Sequence, residues 1–284
     1  MESLLDMMDD AVKRCHDPLT HERLGAWHAA VFPTGYSGMT KIRVGGYSEH
    51  GEPLQIVSGR VGREKVHCEA PPSARVPGKM DRLLQWFNDG TEPDTLARAA
   101  LAHLWFETIH PFEDGNGRLG RVLVDLLLAR DSGETSRLFR MSQRLLDFRL
   151  DYYANLERAQ HGGADVTVWV CWFVEQMQAA CEVASTAVDH TLVRARFWLD
   201  NGTQALSERQ RKVVNLLLDA GPGGFDGGMS TRKYENFTGT SRATASRELI
   251  DLEVKGMLQQ VGGGRSTRYY VNLPGWIPPA VDES

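Results

Sequence analysis

The stretch HPFEDGNGRLGR, His110 to Arg121, gathers a histidine, two carboxylates, an asparagine, glycines and two arginines into a few turns of chain. Pro111 disfavours helix at His110, so the element before it ends there. Gly115 and Gly117 then permit a tight loop whose backbone N–H groups converge on the start of the next helix. Such a helix start, with unpaired donors and the positive end of its dipole, is an anion site. Arg118 and Arg121, three apart on one helical face, add two fork-shaped cations suited to a polyphosphate. Asp114 stands at the mouth, where a carboxylate beside phosphates is the usual holder of Mg²⁺. His110, at the opposite edge, is suited to take a proton from a hydroxyl near neutral pH. Singly these features have bland explanations: a helix-end histidine, a solvated arginine face, a Gly-Asn-Gly turn. Contiguous, they describe phosphoryl or nucleotidyl transfer. Leu119, Val122, Leu123, Leu126 and Leu127 are the buried stripe of the helix that follows.

The rest of the chain supplies a scaffold for such a loop. With 284 residues, a net charge of −5 and 42% hydrophobic residues, it is long enough to bury a substantial core, and its length suggests a large domain plus a smaller one. Cys15, Cys68, Cys171 and Cys181 form no CxxC pair and no metal spacing. They read as reduced, mostly buried thiols of a cytoplasmic protein. The apolar run VTVWVCWFV, Val166 to Val174, is roughly half the length that spans a bilayer. No secretion signal opens the sequence, and no membrane partner is expected.

Helical periodicity dominates. It predicts helices over Ser3–Cys15, Thr20–Val31, Gly78–Asn88, Asp94–Thr108, Gly117–Arg130, Gln143–Gln160, Val166–Val188 and Val193–Asn201. Between Tyr36 and Pro72 glycines punctuate short β-branched stretches, Leu54–Val57 and Lys65–His67, which suggests a β-hairpin or flap. The main domain is thus predicted to be mainly α.

A second unit begins near Leu206. LSERQRKVVNLLLDAG is an amphipathic helix with Ser207 as cap, STRKYENFTG a short helix stopped by Gly239, and TSRATASRELIDLEVKGML a third helix capped by Thr240 or Ser241. Two strands flank the glycine turn of LQQVGGGRSTRYYVNL. Three helices and a hairpin resemble a winged helix-turn-helix domain, with Ser241, Arg242, Thr244 and Arg247 on one side of the third helix and Arg265 and Arg268 on the wing. The basic excess is mild, which leaves two partners open for this unit: DNA, or a packing surface that makes a homodimer.

HPFEDGNGRLGR resembles the signature of the Fic family (filamentation induced by cAMP), HPFx(D/E)GNGRxxR, at every specified position. The likeness extends over roughly Leu19 to Ala187, through LAHLWFETI before the motif, the flap-like LQIVSGRVGREKVHCEAPP, and DYYANLERAQ after it. The resemblance implies a helical core with a β-hairpin flap, and bacterial Fic proteins are known to carry a winged-helix appendage. The implied organisation is an N-terminal helix over 1–18, a Fic domain over 19–187, a linker helix over 188–205, a winged domain over 206–274 and a tail over 275–284. The implied activity is transfer of AMP from ATP onto a Ser, Thr or Tyr hydroxyl of a target protein. Under it His110 deprotonates the hydroxyl and Asp114 holds Mg²⁺. Gly115, Asn116 and Gly117 cradle the phosphates, the Asn116 amide opposing charge on the α-phosphoryl group. Arg118 and Arg121 orient the β- and γ-phosphates, and Phe112 anchors the loop.

Tyr152, Tyr153 and Gln160 fall where the family places its nucleobase pocket, and the flap near Leu54–Gly59 would align a target strand by β-augmentation. Two other functions remain beside transfer: removal of AMP at the same site, which needs a further glutamate, or a nucleotide-sensing DNA-binding regulator. Fic proteins are often restrained by an inhibitory helix, (S/T)xxxE(G/N), whose glutamate pairs with the second motif arginine, here Arg121. TRKYEN, Thr231 to Asn236, matches literally but falls in the second helix of the winged unit, where Thr231 and Glu235 are more simply a cap and a solvated charge. Met1 to Asp17 contains no match. The expectation is a polypeptide without its brake, or one that receives it from another chain.

Overall fold

The computed structural model describes residues 2–49, 55–58, 65–90, 94–132, 141–221, 225 and 227–276; for residues 2–4, 55–58, 65–68 and Arg265 it describes the backbone alone. The chain divides into two compact units, Met1–Ser185 and Thr186–Ser284.

In the first unit, α1 (Glu2–Lys13) and α2 (His21–Val31) precede a short β-ribbon of β1 (Tyr36–Ser37) and β2 (Thr40–Lys41). The hairpin of β3 (Gln55–Ser58) and β4 (Lys65–Glu69) follows. It is antiparallel, pairs Gln55 with Glu69 and Ser58 with Lys65, and shifts register between Ile56 and Val57. The flap expected from the glycine punctuation is therefore present, although its ends at Leu54 and Gly59 lie outside the described residues. Helices α3 (Val76–Asp89), α4 (Thr95–Ile109) and α5 (Asn116–Ser132) carry the core, followed by α6 (Met141–Asp147) and α7 (Arg149–His161). Periodicity suggested one helix where α6 and α7 stand; the chain breaks at Phe148, whose ψ of 31° is not helical.

The core of this unit is built from Leu83 and Phe87 of α3, Ala99, Ala102 and Phe106 of α4, Leu119, Leu123 and Leu126 of α5, and Trp169 and Phe173 of the next helix. Helix α4 starts at Asp94, whose carboxylate accepts from the N–H groups of Leu96 and Ala97, a cap that fixes where the helix toward the motif begins. Its apolar residues lie all round it, as they must for a helix buried on every side.

Helix α8 (Thr167–Asn201) is continuous, where the sequence suggested two helices separated before Val193. In the second unit it is followed by α9 (Glu208–Asp219), α10 (Thr231–Thr238), α11 (Arg242–Val254) and the hairpin β5 (Leu258–Val261) with β6 (Arg268–Val271). The expected order, three helices then a hairpin, is observed. Ser207 forms a full capping box with Gln210, and Ser241, not Thr240, caps α11. Met229 pairs with Tyr269 to extend the hairpin. Val213, Leu217, Tyr234, Leu249, Leu252 and Tyr269 form the second core.

Cys15, Cys171 and Cys181 are free thiols, as expected. Only Cys15 of these is buried; Cys171 is exposed because it faces outward from α8, which corrects the expectation of mostly buried cysteines. Among the described residues no helix is long and apolar enough to cross a membrane.

Candidate functional site

Helix α4 ends at Ile109 because His110 turns the chain. His110 adopts φ 49°, ψ 58°, the left-handed region that β-carbon sterics make unfavourable for any residue but glycine. Its N–H still bonds Phe106 O, and Pro111 after it forbids continuation of the helix. The strained turn is held from both sides. Pro111 O accepts from Ser48 N at 2.8 Å. Phe112 is fully buried and stacks on the His28 ring at 4.3 Å with 8° between planes. Phe112 is thus the loop anchor that the sequence suggested.

Asn116 closes the loop. Its Oδ1 accepts from Phe112 N at 2.9 Å and its Nδ2 donates to Phe112 O at 2.8 Å. Both ends of the amide are engaged and the residue is buried. This corrects the expectation that the Asn116 amide faces an α-phosphoryl group: the side chain holds the backbone, and phosphate-facing donors must come from main-chain N–H groups. The N–H groups of Asn116 and Gly117, in the first turn of α5, make no hydrogen bond to the described residues, whereas those of Arg118 and Leu119 bond Gly115 O. Gly115 has φ +81°, and a β-carbon there would lie 2.7 Å from the Phe32 ring. Glycine is required by both conformation and space.

Asp114 is exposed, its Oδ1 accepting from Gly115 N at 2.6 Å and its Oδ2 from Ser37 Oγ. His28 fixes the Asp114 backbone: its Nδ1 accepts from Gly45 N at 3.0 Å, so its Nε2 carries the hydrogen that bonds Asp114 O at 3.1 Å. Among the described residues no three His, Cys, Asp or Glu side chains converge as a metal cluster. A single exposed carboxylate beside an anion site suits Mg²⁺, which takes one or two carboxylates and completes its shell with phosphate and water. Arg118 is exposed above the Phe32 ring, 5.6 Å from its centre. Arg121 makes no hydrogen bond or ion pair with the described residues and is available to a ligand.

Behind the loop lies a buried polar wall that sequence reasoning missed. Glu107 is 4% exposed, with Oε2 3.8 Å from His110 Nδ1 and Oε1 without a partner. Burial pushes its carboxyl up to about 7 against the pull of Arg121. Burial also drives His110 down to about 4, opposed by the Glu107 backbone and the Asp114 charge. Asp125 on α5 is pushed up to about 7 by burial, again opposed by Arg121. His103, fully buried and held down to about 4, meets Tyr152 Oη through Nε2 at 3.0 Å. The available signal was spacing: His103, Glu107 and His110 recur at helical intervals on one side of α4.

Tyr152 therefore belongs to the core. It is buried among Tyr153, Trp169 and Trp172, and its hydroxyl is occupied by His103. Tyr153 is half-buried and packs on the core, its ring centre 5.2 Å from that of Tyr152. Gln160 donates from Nε2 to Thr108 Oγ1 at 3.3 Å, while its buried Oε1 has no partner. Gln160 and Thr108 line a cavity of about 410 Å³ walled also by Trp86 and Trp105, which neither Tyr152 nor Tyr153 lines.

In the second unit Arg242 and Arg247 are exposed on α11, while Ser241 and Thr244 spend their hydroxyls on the helix cap and on each other. Arg268 donates to Thr267 O. The Arg265 side chain lies outside the described residues. Ser230, not Thr231, caps α10, and Glu235 is half-buried in that helix.

Residues 18–128 match the model of the Fic/DOC family, and residues 227–272 that of the C-terminal domain of DIP2311-like transcriptional regulators. The chain is 32% identical over 92 residues to a probable protein adenylyltransferase of Aquifex aeolicus, a match covering 32% of this chain and 26% of that one. It is 34% identical over 119 residues to the protein adenylyltransferase Fic of Nematostella vectensis, covering 40% and 26%. The match thus spans about a quarter of these relatives' length. A Fic family protein from Desulfovibrio desulfuricans G20 shares the fold, with a TM-score of 0.53 at 22% identity over 95% of this chain and 73% of that one. Residues 18–128 of this chain, which hold the strained His110 turn and the open start of α5, are a domain of the Fic/DOC family.

Proposed function

We propose that this protein transfers AMP from ATP to a hydroxyl side chain of a target protein, releasing pyrophosphate. The observation that carries the reading is the pair of unengaged N–H groups at Asn116 and Gly117, which suit an anion at the start of α5, with His110 at the loop's other edge. Those donors, with the helix dipole, oppose the charge that grows on the α-phosphoryl oxygens. The target hydroxyl gives its proton to His110 Nε2 as its oxygen bonds the α-phosphorus. The bond from that phosphorus to the bridging oxygen breaks, and the pyrophosphate leaves against Arg118 and Arg121. Asp114 is the residue that would hold Mg²⁺, which supplies charge neutralisation to the phosphates when bound. Tyr153 and Gln160 would border the base, with Gln160 Oε1 an unused acceptor for its amino group. The flap would align a target strand through its backbone.

For the C-terminal unit, we infer duplex DNA contact through Arg242, Arg247 and Arg268, supported by the likeness of residues 227–272 to a regulator domain and by the exposure of the first two arginines. The boundaries proposed are 19–187 for the Fic domain and 206–274 for the winged domain.

Incubation of the full chain with α-labelled ATP, Mg²⁺ and a cell lysate tests the first reading. Label is expected on protein, and His110→Ala should lower its transfer by roughly two to four orders of magnitude while ATP binding stays within a few-fold. Transfer that survives His110→Ala would remove this histidine as the base.

A further inference from the structure

We propose that Glu107 is the positioning residue of the catalytic base: from behind the loop it holds the Nδ1 side of His110 so that Nε2 faces the hydroxyl, and Gly120 lacks a side chain to make room for its carboxyl. The functional consequence rests on the reading of His110 as a base.

The geometry is specific. Glu107 stands one turn before His110 on α4, and its Oε2 lies 3.8 Å from Nδ1, within ion-pair reach but short of a hydrogen bond; Nδ1 is buried and makes no hydrogen bond within the usual distance, the Glu107 backbone being the other group that favours its proton. Its Oε1 is pressed against the first turns of α5. A β-carbon on Gly120 would lie 2.7 Å from that oxygen and 3.2 Å from His103 Nδ1, closer than atoms tolerate without movement. One on Gly117 would lie 3.7 Å from the same oxygen and 3.3 Å from Arg121 Nη1. Gly120 occupies a position the family signature leaves open, yet here its missing side chain is what the Glu107 carboxyl requires.

The groups around this carboxyl are His103 and His110 from the α4 side, Arg121 from α5 and Tyr152 from α7; Asp125 acts on the same Arg121, and Asp114 acts on His110 from the loop. Burial raises the carboxyl and lowers the imidazole, so that on the acid side of neutrality a proton sits on Glu107 and not on His110. While Glu107 is protonated, closing the 3.8 Å gap would make its O–H the donor toward Nδ1, against the pull of the Glu107 backbone, and leave the ring hydrogen on Nε2, where it blocks acceptance of a proton. Once Glu107 ionises, the ring hydrogen moves to Nδ1 and the Nε2 lone pair is free. When the hydroxyl proton arrives, the carboxylate stabilises the imidazolium. This offsets the burial that would otherwise leave His110 a weak base.

The test follows the His110 ring nitrogens by NMR in the full chain labelled with ¹⁵N-histidine, the signals assigned by their loss in His110→Gln. The wild-type shifts should move from the Nε2–H to the Nδ1–H pattern as pH rises through about 7, the value of the Glu107 carboxyl. The inflection should vanish in Glu107→Gln and persist in Asp125→Asn, which removes the other carboxyl beside Arg121. Gly120→Ala, which displaces the carboxyl without touching its charge, should shift the inflection or abolish it. Flat wild-type shifts between pH 6 and 8 overturn the proposal, as does an inflection unchanged in Glu107→Gln or in Gly120→Ala. If Glu107→Gln fails to fold, the wild-type and Gly120→Ala titrations decide. Where the wild type transfers label, Glu107→Gln should lower kcat at least about tenfold, leave the Kd for ATP within a few-fold, and remove the rise of rate with pH near neutrality. A wild type that transfers nothing defeats the proposed function, while the histidine titration still decides the role of Glu107.

Discussion

The Asn116 side chain bridges both polar groups of the Phe112 backbone, accepting from its N–H at 2.9 Å and donating to its carbonyl at 2.8 Å. All four atoms are in a buried setting, so the pairing stabilises the loop conformation that His110 strains. Asn116→Ala leaves two buried backbone groups without partners and is expected to destabilise the first unit by about 2–4 kcal/mol. Denaturant unfolding measures the loss. A change below half a kcal/mol would show that water replaces the amide and that the loop is held by Phe112 alone.

His28 couples pH to the same loop. Its Nδ1 must be unprotonated to accept from Gly45, and burial holds its pKa below the ordinary 6.5. Between that value and the lower one in the folded protein, the unfolded chain binds the additional proton. The stability His28 contributes is therefore complete above about pH 6.5 and lost as pH falls. The melting temperature of the wild type should drop on acidification below 6.5 more steeply than that of His28→Gln. Equal slopes would detach His28 from the acid sensitivity.

Asp114 should act on nucleotide binding in a metal-dependent way. Asp114→Ala is expected to weaken ATP binding in Mg²⁺ and to leave the weaker binding in EDTA nearly unchanged, because Arg118, Arg121 and the α5 donors remain. Isothermal titration with and without Mg²⁺ separates the two. An unchanged Mg²⁺ titration takes Asp114 away from the metal.

Duplex binding by the second unit should depend on salt through its arginines. Replacing Arg242 and Arg247 together with alanine should weaken binding similarly across sequences and lower the slope of log affinity against log salt by about 2. Fluorescence anisotropy at several salt concentrations reads both. Absence of binding at low salt would favour the packing surface.

The sequence by itself determined the local structure around the motif. Pro111 after His110, the glycines of the loop and the cap at Ser207 are local instructions that neighbouring backbone obeys wherever the rest of the chain lies, whereas the choice of Ser230 over Thr231 and of Ser241 over Thr240 came from the structure. The order of helices and hairpins was legible for the same reason, since amphipathic period and turn residues act over a few positions. Helix junctions were less so. Phe148 breaks α6 from α7 without glycine or proline, and α8 runs unbroken past Val193, because packing rather than propensity decided both. Side-chain roles that depend on distant contacts were decided only by the tertiary structure. Asn116 turned inward to Phe112, Tyr152 was taken into the core by His103, and Glu107 was set beside His110. Each depends on which helix face is covered and by what, a matter of burial: in water these polar groups find partners anywhere, whereas in the interior they must use the neighbour the fold provides. Gly120 shows the limit most plainly, for its sequence position is that of any helix residue and its necessity appears only when α4 presses the Glu107 carboxyl to where a β-carbon would stand.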